Sequence, residues 1–198
     1  MGASGYEKKY NKRICFFEMN ERKGLGFLCF LPKTDSNEKI PVLITNSTFL
    51  PLLNLNPGEK IEFTLNKNNH TLSIDESRKI YCNENDYNIT MIEIKKEDNI
   101  ENDSFFDIEI NDKFTIEDFK KKSVSLIITK KGKIDLKKCK LQNKGIKDNE
   151  FEYKCDLKEE VYGSPLIDKN NDKIIGIQKA FNKLNGICTV ILLSDPIK

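Results

Sequence analysis

The sequence predicts an all-β chain folded as two small antiparallel barrels packed side by side. Three observations carry this expectation. The apolar segments are short and rich in Val, Ile, Phe and Thr, and turns of Asn, Asp, Gly and Lys interrupt them at short intervals. A polar stretch at 95–104 (KKEDNIENDS) divides the chain into two halves of similar style. Closing each sheet on itself removes exposed strand edges, which makes a pair of barrels the economical arrangement. The expected division is a flexible N-terminal tail over 1–13, a first barrel over 14–100 and a second over 101–198.

Taken in order, Gly26–Leu31 (GFLCFL) and Pro41–Thr45 (PVLIT) are strand-length apolar runs, the second ending in the polar triplet Asn46-Ser47-Thr48. Ile61–Leu65 and Thr71–Ile74 flank 66–70 (NKNNH), which predicts a hairpin whose loop places Asn at positive φ. Asn88–Lys95 alternates polar and apolar residues at period two, as a half-buried strand does. In the second half Val124–Ile128 and Ile134–Leu141 bracket a Gly-containing turn at 130–133. Ser164–Ile167 and Lys173–Ile177 bracket 168–172, and Ile187–Leu193 is a final buried run. This amounts to about five or six strands in each half. Thr115–Lys122 (TIEDFKKK) predicts one short helical turn capped by Thr115, its lysines forming a solvated face.

Composition excludes several classes of function. At 198 residues with 38% apolar content and 32% charged residues the chain can bury a core and lies outside the disordered range. Its formal charge of +2 comes from 33 basic and 31 acidic residues, with only three arginines, Arg13, Arg22 and Arg78. Nucleic-acid binding usually needs a basic stripe to meet phosphates, so no nucleic-acid partner is expected. The six cysteines form no CxxC pair and no Cys/His cluster, so neither a metal nor a cofactor is expected. No apolar run is long enough for a signal peptide or a membrane span, which predicts an intracellular, cytoplasmic chain with reduced thiols. Gly2 does not open a myristoylation motif, since Tyr6 occupies the position where Ser or Thr is needed.

Three stretches, in this order, carry a resemblance. GLGFLCFLPK followed by IPVLITNSTFL is similar to a Gly-x-Gly-Phe strand leading into Leu-Thr-Asn-x-His-Val-Leu. ENDYNITMIEIKKED is similar to a strand Tyr-Asp-Ile-Thr-Ile-Ile-Glu-Ile. CDLKEEVYGSPLIDKNNDKIIGIQKA is similar to a Cys seven residues before a nucleophile, then Gly-Ser-Pro-Leu and a Val/Ile-Gly-Ile-His strand. Together they resemble the landmarks of intracellular trypsin-like (chymotrypsin-fold) serine peptidase domains. The fold this implies is two packed six-stranded antiparallel Greek-key barrels.

The resemblance places Thr48 where the family has its His base, Asn88 where it has the Asp that orients that base, and Tyr162 where it has the serine. Each substitution removes a capability that the Ser-His-Asp mechanism requires. A phenol ordinarily titrates near 10 and brings a bulky ring. A Thr hydroxyl cannot shuttle protons near neutral pH as imidazole does. The amide of Asn88 has no imidazole to orient. In the oxyanion-hole region, before Gly163, the family Gly is replaced by Glu160 followed by Val161, and a carboxylate there would repel a developing oxyanion. Arg13-Ile14 looks like a zymogen cleavage site, but the Asp that would pair with the new amine is Val161.

Other candidates have plainer readings. His70 is the sole histidine and falls in a hairpin loop; Ser164 belongs to the Gly-Ser-Pro-Leu framework; Cys155 lacks a neighbouring His and is expected as a small buried hydrophobe. Glu159 and Glu160 fit a solvated loop better than an acidic site. Gly24 and Gly26 make only a lone Gly-x-Gly, too weak for a nucleotide loop. The expected function is therefore an inactive peptidase homologue, a pseudoprotease. Its partner would be another protein or an extended peptide, added as a strand along an edge at Gln178, Lys179 and Ala180. Two alternatives stand beside it: a structural subunit of a larger assembly, and a peptidase with a relocated nucleophile. Oligomeric state is not legible in the sequence.

Overall fold

A computed structural model describes residues 5–19, 22–33, 38–109, 115–130, 133–142, 150–155, 157 and 161–194. A short helix α1 (Gly5–Tyr10) leads into β1 (Ile14–Met19), β2 (Arg22–Pro32), β3 (Lys39–Asn46), β4 (Lys60–Leu65), β5 (Asn68–Ser73), β6 (Ile80–Asn83), β7 (Ile89–Glu93) and β8 (Phe106–Asp107). The second half holds α2 (Ile116–Lys120), β9 (Val124–Lys130), β10 (Lys133–Lys138), β11 (Lys140–Leu141), β12 (Glu150–Lys154), β13 (Pro165–Asp168), β14 (Lys173–Asn182) and β15 (Ile187–Leu192). These strands make two curled sheets, antiparallel but for the short β8. The first has order β5-β4-β1-β2-β3-β7-β6, with β8 parallel to β2; the second has order β10-β9-β13-β14-β15-β12-β11.

The second sheet closes through a single bent segment. Residues 133–138 pair with β9 and residues 140–141 pair with β12, so Cys139 is the corner at which one strand changes partners. The first sheet closes differently. Arg78, in the turn between the end strands β5 and β6, donates to the Ser73 and Glu93 carbonyls and forks onto Asp98 at 2.8 and 2.9 Å. Its side chain is 2% exposed and that of Asp98 is 5% exposed. Such a buried, multiply hydrogen-bonded pair fixes geometry, and removing one member strands the other charge.

The expected elements appear with informative differences. The hairpin turn is tighter than the five residues 66–70: Leu65 pairs with Asn68, leaving Asn66 and Lys67 as a two-residue turn with φ of 48° and 69°. Two consecutive positive φ values match the twist of the flanking strands. β7 is buried on both faces, because Thr90 turns its hydroxyl onto the Leu50 carbonyl under the 47–50 turn. Thr115 caps α2 as expected, with Asp118 returning the bond to the Thr115 N–H. The stretch expected as a tail is structured from Gly5 onward. Tyr10 is buried and donates to Asp172 Oδ1 at 2.7 Å, because its ring joins the core beside Phe106 while its hydroxyl finds a carboxylate.

Two outcomes follow. Arg78→Met leaves Asp98 buried and unpaired, and urea unfolding is expected to show a loss of about 3–5 kcal/mol. Burial, then the bond to Asp172, pushes the Tyr10 phenol above its ordinary range. The folded chain therefore keeps a proton that the unfolded chain gives up near pH 10, and stability falls as pH rises through that value. Thermal melts between pH 8 and about 11 are expected to show a shallower decline for Tyr10→Phe.

Candidate functional site

The junction between the barrels is built around asparagine. Asn46 ends β3, Ser47 and Thr48 turn away from it, and Asn88 stands just before β7 with a left-handed φ of 53°, a conformation Asn tolerates better than most residues. Three donors converge on Asn88 Oδ1: Ser47 Oγ at 2.6 Å, Thr48 N at 2.8 Å and Thr48 Oγ1 at 2.9 Å. The other end of the amide, Nδ2, donates to the Lys179 carbonyl across the barrel boundary at 3.4 Å. Asn46 repeats the device, its Nδ2 donating to the Gln178 and Lys179 carbonyls and its Oδ1 accepting from Thr48 N. The partners leave no ambiguity about which end of either amide is oxygen.

Thr48 and Asn88 are thus in direct contact, and the Thr48 hydroxyl proton is committed to the amide. Tyr162 lies at the same junction but faces elsewhere. Its carbonyl accepts from Leu25 N at 2.8 Å, its ring stacks at 6.4 Å on Phe49, one residue past Thr48, and the Arg22 guanidinium sits 4.8 Å from the ring centre. Among the described residues no hydrogen bond joins Tyr162 to Thr48 or Asn88. Gly163 follows with φ of 74°, and a Cβ there would lie 1.9 Å from the Leu25 carbonyl, so only glycine fits. Gly24 is also constrained, since a Cβ on it would meet the Phe49 ring at 2.8 Å. Val161 is buried, while Glu159 and Glu160 lie outside the described residues.

The strand expected to offer an edge is paired on both sides for part of its length. β14 runs beside β13 as far as Ile177, and Gln178 N still donates to Ser164 O at 2.9 Å. Beyond that point β14 continues to Asn182 with β15 as its only strand partner among the described residues. Both backbone polar groups of Gln178 are consumed, its N–H by Ser164 O and its carbonyl by Asn46, and the Lys179 carbonyl accepts from Asn46 and Asn88 of the first barrel. The exposed, one-sided stretch starts at Ala180. Lys179 braces the two halves with its side chain, donating to the Asp86 carbonyl and to Glu150 Oε1.

Several members of this junction carry no distinguishing signal in the sequence: Asn46 is one of the polar triplet 46–48, and Arg22 belongs to no motif. The Gln178 amide and Ser164 Oγ are buried with no hydrogen-bond partner, a costly state in a folded protein. A groove of about 960 Å³ opens on the β1–β2 side, between Tyr162, Arg22, Phe16 and the β4–β5 hairpin. His70 lines it from that hairpin, stacked on Phe63 with ring centres 5.5 Å apart. Among the described residues no group of His, Cys, Asp or Glu is arranged to hold a metal ion, and no helix is long and apolar enough to cross a membrane.

No protein-family model matches the sequence, and no curated protein is similar to it. Solved structures are similar in fold. The protease Rv3671c of M. tuberculosis in its inactive form superposes with a TM-score of 0.61 at 10% identity, over 99% of this chain and 95% of that one. The serine protease domain of the Sesbania mosaic virus polyprotein gives 0.57 at 9% identity, over 92% and 88%. Tobacco etch virus protease, complexed with product, gives 0.54 at 13% identity, over 98% and 77%. At these identities the likeness is one of architecture, and it agrees with the two curled antiparallel sheets: this chain has the two-barrel fold of the trypsin-like serine peptidases.

Proposed function

We propose that the chain is a trypsin-like domain without peptidase activity, which uses the surface near the barrel junction to bind an extended segment of another protein. The observation that carries this reading is the state of Asn88 Oδ1. Three donors surround one oxygen, an arrangement suited to a carboxylate, yet the group is a neutral amide and its donors are the Ser47 hydroxyl and the Thr48 N–H and hydroxyl. A base in that place would need a lone pair free to take a proton from a nucleophile. Thr48 instead donates its own proton to the amide, and Tyr162 turns toward Arg22 and Phe49. Thr48 and Asn88, at the positions that the resemblance gives to the base and its partner, have the chemistry of a structural clasp.

Binding is supported by the one-sided stretch of β14 beyond Gln178, where a peptide could add as a strand. Tobacco etch virus protease, of similar fold, has been solved complexed with substrate. A role as a structural subunit would use the same fold but leave this stretch uncovered. Absence of a membrane or nucleic-acid partner, and a cytoplasmic setting, belong to the same reading and rest on composition.

Two measurements check this reading. Tyr162→Ser is expected to give no hydrolysis of a broad peptide library and no labelling by a serine-directed phosphonate, because Thr48 and Asn88 remain; turnover or labelling would overturn the account of the site. A partner isolated with the native chain is expected to bind at least about tenfold more weakly to Ala180→Arg, which sets a long charged side chain on the exposed stretch. Leu184→Ser, on the fully exposed turn between β14 and β15, is expected to leave binding unchanged. Undiminished binding by Ala180→Arg would favour the structural-subunit role.

A further inference from the structure

Three thiols gather at the corner that closes the second barrel. Cys139 occupies the corner itself, Cys155 follows β12, and Cys188 lies in β15 opposite Tyr153. The ladder β11–β12 pairs Lys140 with Lys154 and Leu141 with Tyr153, so the next step of the register sets Cys139 opposite Cys155. Gln142 N donates to Glu152 O at 2.9 Å, which marks 142/152 as a hydrogen-bonded pair; alternation along an antiparallel ladder then makes 139/155 a non-hydrogen-bonded one. The backbone agrees, because Cys139 N donates to Val124 O and Cys155 N to Gly186 O rather than to each other. Non-hydrogen-bonded pairs hold their Cα atoms about 4.5 Å apart with side chains close, within the range a disulfide spans. The two Sγ atoms stand 2.6 Å apart, inside the roughly 3.5–4.0 Å at which non-bonded heavy atoms rest.

We infer that Cys139 and Cys155 form a reversible disulfide, which locks the closing corner of the second barrel covalently. The remaining cysteines lack this geometry. Cys15 and Cys29 are buried in the first barrel, and Cys82 contacts Thr90. Cys188 also touches Cys155 but stands two residues out of register with it.

A low-molecular-weight disulfide such as oxidised glutathione supplies the oxidising equivalents. The thiolate of one cysteine attacks that disulfide, breaking its S–S bond, forming a mixed disulfide and releasing one reduced thiol. The second cysteine then attacks the protein sulfur of the mixed disulfide, forming the Cys139–Cys155 bond and releasing the second reduced thiol. Contact with Cys139 and burial hold the Cys155 thiol well above the ordinary thiol range, which keeps it protonated in the closed barrel. Exchange therefore proceeds when the corner opens locally or while the chain folds, and it is slow in the native state.

The test is to equilibrate the purified chain with oxidised glutathione, quench with acid, alkylate in denaturant and map the peptides without reduction. Two of the six cysteines are expected to escape alkylation, with a mass lower by two hydrogens and a cross-linked peptide pair joining Cys139 to Cys155. Dithiothreitol is expected to reverse both signals. Cys188→Ser is expected to retain the cross-link, and Cys139→Ser to abolish it. Alkylation of all six cysteines after oxidation, or a cross-link mapping to Cys155 and Cys188, would overturn the inference. The wild-type map decides the matter by itself, so the outcome does not depend on how well either variant folds.

Discussion

The junction depends on two asparagine amides that reach from one barrel to the carbonyls of the other. Asn46 and Asn88 each present an oxygen to the Ser47–Thr48 turn and a nitrogen to the Gln178–Lys179 backbone. Buried carbonyls at a strand that has lost its neighbour would otherwise stand unsatisfied, at a cost comparable to a lost hydrogen bond each. β13 begins only at Pro165, so β14 loses that neighbour after Gln178, and the amides supply donors to the carbonyls left there while β14 extends to Asn182. The same two residues therefore link the barrels and satisfy the carbonyls at the point where β14 becomes one-sided.

Packing alone accounts for several residues around the junction. Gly163 is fixed by the Leu25 carbonyl and Gly24 by the Phe49 ring, which are packing demands that catalysis does not explain. Tyr162 packs in the same region, its aromatic ring lying between Phe49 and Arg22. Cation and ring at that distance attract through the ring quadrupole, and the Arg stem covers apolar surface besides.

Much of the strand content was legible because burial on one face leaves a period-two trace, and because turns need Asn, Asp or Gly. The Thr115 cap was legible for a similar local reason: a hydroxyl and an acidic residue three positions on satisfy each other's backbone. Elements fixed by distant partners were not. β1, β6 and β12 are short and were not singled out, and β7 looked half-buried because nothing in its own sequence announces the turn that covers Thr90. Of the site, the contact between Thr48 and Asn88 could be anticipated from the family pattern they resemble. The orientation of Tyr162 could not, since its ring contacts, Phe49 and Arg22, lie more than a hundred residues away in sequence. Nor could the burial of the Gln178 backbone, which depends on side chains 132 residues away.

The short segment joining the two barrels belongs to both. Phe106 and Asp107 pair with β2, and immediately afterward Ile108 bridges to Ile174 and Glu109 N donates to the Ile174 carbonyl. Lys122 then ties Glu109 to Asp168 through a mostly buried ammonium. The described part of the connection is thus hydrogen-bonded to both sheets, which couples the two halves. Under the proposed peptide-binding reading, a segment docking at their boundary would meet a preformed template, and the entropy lost on association would fall chiefly on the incoming chain.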